Sequence, residues 1–326
     1  MEVDELKVKK SPLQRAKMTL SILAFIVIAA CSKVEGEPGH HQRAEGGNPI
    51  RIVTTIGMIT DVVQEIGGEE VEVQGLMGPG VDPHLYKASQ GDIQKLDNAD
   101  MILYGGLHLE GKMQEIFEKL EQRKPTVAVS KNIDPSVLRS GKDAGGSQYD
   151  PHIWFNVKHW VSAAETIRDT LVEYDPDHAA VYKQNAEVYI AELNELDAEV
   201  RERIAEIPEA GRVLVTAHDA FGYFGDAYGI RVMGLQGIST ASEYGSKDVS
   251  KLRDFLVENQ IKAVFVESSI PTKSMEAVIA GAKEMGHDVK IGGELFSDSM
   301  GEPGSDADTY IKMVRHNVNT IAAALK

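Results

Sequence analysis

Four residues stand where chemistry could be done: His84, His152, His218 and Asp298. His84 closes the string Gly78-Pro79-Gly80-Val81-Asp82-Pro83-His84, a turn whose prolines and glycines fix the backbone and present the imidazole. The Asp-Pro-His triplet recurs at 150–152, ahead of a helix that Asn156 is placed to cap. His218 follows the expected strand Val213–Thr216, and Asp298 follows the last strong strand within Gly292–Gly301. Intervals of 68, 66 and 80 residues separate the four, so no local motif such as His-Glu-x-x-His joins them. Each is open to a plainer reading: Asp-Pro-His as a turn, His218 as a satisfied histidine at a helix start. Placement links them. Two fall in the first half of the chain and two in the second, each beside an expected strand end, where open parallel sheets bind ligands. A cleft between the halves would gather three imidazoles and one carboxylate.

Glu267, in Phe265-Val266-Glu267-Ser268-Ser269, ends a strand on the same side. It reads equally as an acceptor orienting a histidine ligand or as a buried carboxylate held by backbone N–H groups. His108, His159, His178, His287 and His316 lie in helical or surface-turn contexts and read as structural.

The elements that must position these residues alternate. Short β-branched runs at Ile50–Ile56, Val71–Met77, Asp100–Tyr104 and Thr126–Ser130 are each followed by helical or loop sequence. A second set follows at Arg212–Thr216, Ile230–Met233, Lys262–Glu267 and Asp288–Gly292. This is the βα pattern of an α/β protein with parallel-type sheets, in two similar lobes. Between them Pro176–Ile207 runs for 32 residues without glycine or internal proline, predicting one helix about 48 Å long. Its apolar stripe, Tyr182, Ala186, Tyr189, Leu193, Leu196, Val200 and Ile204, is narrow. Such a stripe suits a stiff connector laid along both lobes better than a coiled-coil partner.

Composition narrows the class. The 326 residues carry 34 Lys+Arg against 50 Asp+Glu, a formal charge of −16, so nucleic acid is not an expected partner and cations are. Cys31, the single cysteine, excludes a multi-thiolate zinc site, so any metal must be held by His, Asp or Glu. The basic stretch Lys7–Lys17 precedes the apolar run Met18–Ala30, which at about 20 Å of helix is too short to span a bilayer core. Residues 1–30 therefore read as a signal peptide, ending in Ile28-Ala29-Ala30-Cys31, which resembles the bacterial lipobox. Lipidation of Cys31 would anchor the exported chain to the cell membrane. Residues 31–48, with His40 and His41, have no apolar periodicity and read as a flexible tether. The lobes are then expected at 49–175 and 208–326, with the helix at 176–207 between them.

Taken together, these strings resemble the TroA-like metal-receptor class of solute-binding lipoproteins that serve ABC transporters. The likeness runs from about Ile50 to Leu325. It includes Gly234-Leu235-Gln236-Gly237-Ile238-Ser239-Thr240 besides the strings around His84, His152, His218, Glu267 and Asp298. The resemblance implies two α/β lobes joined by one long helix, and metal ligands at His84, His152, His218 and Asp298. It also implies a monomer that captures a divalent cation outside the cytoplasm and delivers it to a membrane permease. The cargo expected is Mn(II) ahead of Zn(II), with iron last. Zinc-specific relatives commonly carry a His-rich loop between the first two ligands, and 131–149 contains no histidine. His218 departs from the glutamate of many manganese receptors. Two other classes compete: a metallohydrolase with Glu267 as general base, and a surface adhesin. No Gly-x-Ser-x-Gly elbow, phosphate loop or dinucleotide fingerprint supports an enzyme.

Overall fold

The computed structural model describes residues 48–141 and 147–326. The expected signal segment, Cys31, His40, His41 and the tether before residue 48 lie outside the described residues, as do 142–146 of the loop at 131–149.

The first lobe is built from β1 (Ile50–Thr54), α1 (Gly57–Gly67), β2 (Val71–Gly75), α2 (Gln90–Asn98), β3 (Met101–Tyr104), α3 (Gln114–Glu121) and β4 (Thr126–Ala128). Its four strands form one parallel sheet in the order β2-β1-β3-β4. Ile52 pairs with Val73 on one side and Met101 on the other, and Leu103 pairs with Val127. Met101, Ile102 and Leu103 are all buried, as befits a parallel sheet covered on both faces.

Two helices follow, α4 (Val157–Tyr174) and α5 (Ala179–Ala205). Asn156 caps α4, its side chain accepting from the Lys158 amide at 3.0 Å. α5 is the expected connector, but it is shorter than Pro176–Ile207: its 27 residues span about 40 Å, and Pro176–His178 forms a separate 3₁₀ turn. Asp175 explains the difference. Its carboxylate accepts from the Tyr182 hydroxyl at 2.7 Å and from His178 Nδ1 at 2.9 Å, winding the entry tighter than an α-helix. At the other end the Arg212 guanidinium donates to the Ala205 and Ile207 carbonyls, groups that a helix terminus leaves unpaired.

All seven stripe residues of α5 are buried. They pack the helix against α4 and α1 on one side and the C-terminal helix Tyr310–Leu325 of the second lobe on the other, so one continuous apolar core runs through the connector. Asp197 is buried on the same helix, which the stripe did not predict. Arg201 one turn later holds it at 3.1 Å, and the Tyr228 hydroxyl donates to it at 3.0 Å.

The second lobe comprises β5 (Val213–His218), α6 (Gly222–Tyr228), β6 (Arg231–Gln236), α7 (Ser246–Glu258), β7 (Ala263–Glu267), α8 (Lys273–Glu284), β8 (Lys290–Leu295) and α9 (Tyr310–Leu325). Its strands pair as two parallel ladders, β5-β6 and β7-β8, with β5 beside β7. Gly234 lets β6 approach the end of β5: a Cβ there would lie 2.5 Å from the Asp219 nitrogen. All eight described strands fall on the runs that sequence marked, within a few residues at each end. Among the described residues no helix is long and apolar enough to cross a membrane.

If the α5 stripe joins the lobes, truncating its centre should loosen the whole molecule. Leu193 is fully buried, and Leu193→Ala should cost about 2–5 kcal/mol in urea unfolding. An unchanged midpoint would mean that this stripe does not hold the lobes together.

Candidate metal centre

The structure brings His84, His152, His218 and Asp298 to one point, all four buried. His84 arrives on the loop after β2. Asp82 Oδ1 accepts from the His84 amide at 2.9 Å, and the other Asp82 oxygen accepts from the Thr240 hydroxyl of the second lobe at 2.6 Å. The repeated Asp-Pro-His triplet makes the same turn again, with Asp150 Oδ1 accepting from the His152 amide at 3.0 Å. Here the structure departs from the expectation of a strand end: His152 opens a 3₁₀ turn, Ile153–Phe155, that leads into α4. His218 is the last residue of β5 rather than two residues beyond the strand. Its pairing with Gln236 extends the ladder that far.

Asp298 sits three residues past β8 on a segment pinned from both sides. Asn317 of α9 exchanges two hydrogen bonds with the Phe296 backbone, and the Trp154 indole donates to the Ser297 carbonyl at 3.0 Å.

The donor atoms face one another closely. His84 Nε2 and His218 Nε2 lie 3.2 and 3.4 Å from His152 Nε2. Asp298 Oδ1 lies 3.4 Å from His152 Nε2, and Oδ2 lies 3.5 and 3.7 Å from those of His218 and His84. One ligand atom from each of the four residues lies within 4.8 Å of the others, close enough for a single ion to meet all four at the roughly 2.0–2.2 Å of transition-metal bonds to nitrogen or oxygen. Neither oxygen of Asp298 has a hydrogen-bond donor, although both are buried. An ionised carboxylate so placed is costly unless a cation meets it.

Carboxylates behind the imidazoles set their orientation. His152 Nδ1 donates to Asp150 Oδ1 at 2.8 Å. Glu267 accepts twice from His218, from its backbone N–H at 2.8 Å and from Nδ1 at 2.5 Å. Glu267 thus combines the two roles that sequence left open: it accepts a backbone N–H and orients an imidazole. Both Nε2 atoms are thereby turned inward, the arrangement that metal-binding histidines use. Asp150 was visible only as part of a turn string, and its position two residues before a histidine was the available signal.

Burial and charge split the three imidazoles electrostatically. Burial pushes His84 down to about 3, keeping it neutral. Burial opposes charge on His152 as well, but Asp150 and Asp298 outweigh it and raise the group to about 10. His218 is likewise raised, Glu267 and Asp298 outweighing burial. For Asp298, burial alone would raise the pKa, yet His218, His152 and His84 hold it well below the usual carboxylate range.

None of the other described histidines joins the centre. His287 and His316 meet the Ile261 and Glu294 carbonyls, His108 meets Gln114, and His159 packs on Tyr223. His178 stands with Glu70 and Asp175 in a separate, partly exposed group at the start of α5.

The chain is similar to known metal-binding proteins. The family model described as ZnuA, zinc-uptake complex component A, periplasmic, matches residues 52–324. The chain is 52% identical over 277 residues to the manganese-binding lipoprotein MntA of Bacillus subtilis (strain 168), covering 85% of this chain and 90% of that protein. It is 48% identical over 287 residues to the zinc-binding protein TroA of Treponema pallidum (strain Nichols), covering 88% and 92%. The solved structure of periplasmic zinc binding protein TroA from Treponema pallidum matches with a TM-score of 0.83 at 49% identity, covering 86% of this chain and 99% of that one.

The electrostatic split is directly measurable. In chelator-treated protein, histidine nitrogen shifts should show His152 protonated at pH 8 and His84 neutral at pH 5. Three imidazoles titrating together near 6.5 would contradict the buried, carboxylate-backed arrangement.

Proposed function

Because the chain belongs to the ZnuA family of metal-uptake components, we propose that it is an extracytoplasmic receptor that captures a divalent metal ion between its lobes and delivers it to the membrane permease of an ABC transporter. His84, His152, His218 and Asp298 are the ligands. The observation that carries this reading is Asp298, a fully buried carboxylate without a hydrogen bond whose two oxygens both face imidazole nitrogens.

The cargo we propose is Mn(II). Both Asp298 oxygens face the ring nitrogens, so bidentate binding makes five protein donors, above the four that zinc prefers and suited to manganese. The absence of histidine from 131–149 and the 52% identity to a manganese-binding lipoprotein support the same choice. Zn(II) is the second reading. It is favoured by the third imidazole of His218 and by the 48% identity to a zinc-binding protein. Binding strength does not discriminate, since sites of this type hold zinc more tightly than manganese.

The receptor works as a monomer, lipidated at Cys31 after loss of residues 1–30, with the lobes at 49–175 and 208–326 tethered outside the membrane. The core shared through α5 leaves room for small tilts and loop movement in metal release and little for a wide hinge. A hydrolase would need Glu267 free to act as a base, and both of its oxygens are engaged by His218.

Elemental analysis of protein taken from its native envelope without added metal should find manganese at about one ion per chain. Zinc, after control for scavenging, would decide for the second reading, and no metal would reopen the adhesin. In calorimetry Asp298→Ala should lose at least 100-fold in Mn(II) affinity while the circular dichroism spectrum stays native; unchanged affinity removes Asp298 from the site. Affinity should also fall from pH 8 to pH 5, because His152, raised to about 10, must lose a proton to bind and does so less readily at lower pH. Cys31→Ser should move the protein from the membrane to the soluble fraction, and retention on the membrane would refute lipidation there.

A further inference from the structure

A second polar cluster lies on the Nδ1 side of His152. Two antiparallel arms, 139–141 and 147–150, pair there: the Asp150 amide donates to the Arg139 carbonyl at 3.0 Å and the Gly141 amide to the Gln148 carbonyl at 2.8 Å. The Tyr223 hydroxyl of α6, from the other lobe, closes the base of both arms. It accepts from the Arg139 amide at 3.1 Å and donates to the Asp150 carbonyl at 2.9 Å.

Asp150 divides its carboxylate between two duties. Oδ1 holds His152 by amide and ring, while Oδ2 faces Arg139 Nε at 3.6 Å, an ion-pair contact longer than a hydrogen bond, and that buried nitrogen has no hydrogen-bond partner. The same guanidinium reaches Asp226 of α6 through a second nitrogen at 2.5 Å. Asp219, largely buried, adds negative charge on the same cation.

The opposite lobe makes room for the Arg139–Asp150 pair. A Cβ on Gly222, the first residue of α6, would lie 2.5 Å from Arg139 Nε and 3.0 Å from Asp150 Oδ2. A guanidinium fork suits a residue that must meet two carboxylates on different elements, which a single lysine ammonium serves poorly.

We propose that Arg139 is a positioning residue of the metal centre: by spanning Asp150 and Asp226 it locks the carboxylate that orients His152 onto a helix of the opposite lobe. His152 is then held by both lobes at once, and its ring swings out only when the bracket opens. Cutting the bracket shortens the time the metal stays bound, without removing a ligand. The proposal rests on the metal-receptor reading above.

The test uses the full chain and Co(II) as probe, whose visible absorption reports the ligand geometry, with dissociation followed by stopped-flow chelation. R139Q should release Co(II) about tenfold faster than wild type, with a changed absorption band and a native circular dichroism spectrum. D226N should accelerate release by a smaller factor, and the double variant should be no faster than R139Q, because both cut one path. Should R139Q fold poorly, R139K keeps the charge without the fork and should also release faster. R139Q and R139K with the wild-type rate and spectrum would overturn the proposal, as would additive effects of R139Q and D226N. Wild-type protein that bound no Co(II) would overturn the metal reading itself and this proposal with it.

Discussion

An ionised carboxylate buried with no hydrogen bond is the constraint around which this molecule is arranged. Asp298 is enclosed completely, and three imidazole nitrogens stand 3.4–3.7 Å from its oxygens. Fixed dipoles or N–H donors would have satisfied it and made it an ordinary buried acid. The imidazoles instead present lone pairs toward the same space when they are neutral, so four negative or electron-rich groups converge. Such a cluster is stable only with protons or a metal ion shared among its members, and this competition makes it a site rather than a core.

The rest of the fold keeps that cluster from relaxing. Two of the imidazoles cannot turn away without breaking bonds to Asp150 and Glu267, and the Asp298 segment is held by Asn317 and Trp154. Each lobe supplies two ligands, and the bonds between Asp82 and Thr240, Tyr223 and Asp150, and Trp154 and Ser297 cross from one lobe to the other. The α5 helix fixes the distance over which they do so. Its stripe lies in an apolar cluster that takes in residues of both lobes, while the second lobe carries a further cluster of its own around Val215, Leu252 and Met275.

The eight strands were legible because parallel strands covered on both faces must be continuous apolar runs, and this pattern survives without knowledge of contacts. The α5 stripe was legible for the same reason: one face of a helix was buried along its length. The helical stretch begins at Pro176 as expected, but its first turn is 3₁₀, which depends on where Asp175, His178 and Tyr182 meet. Asp197 was also hidden. A charged residue beside an apolar stripe reads as solvated until Tyr228 and Arg201 are seen around it.

By itself, the sequence determined which residue types could bind a cation and that they sit near the ends of elements, because turns and strand periodicity are local properties of the chain. Convergence of residues separated by 68, 66 and 80 positions was an expectation from their placement and from the family resemblance, and which carboxylate stands behind which imidazole was not legible at all. The two Asp-Pro-His strings show this limit. They fold into the same local turn, yet Asp150 orients its own histidine's ring while Asp82 reaches across to Thr240. Only the tertiary structure decided between those roles, because a carboxylate's second partner is whatever packing brings within 3 Å of it, and packing is a property of the whole chain.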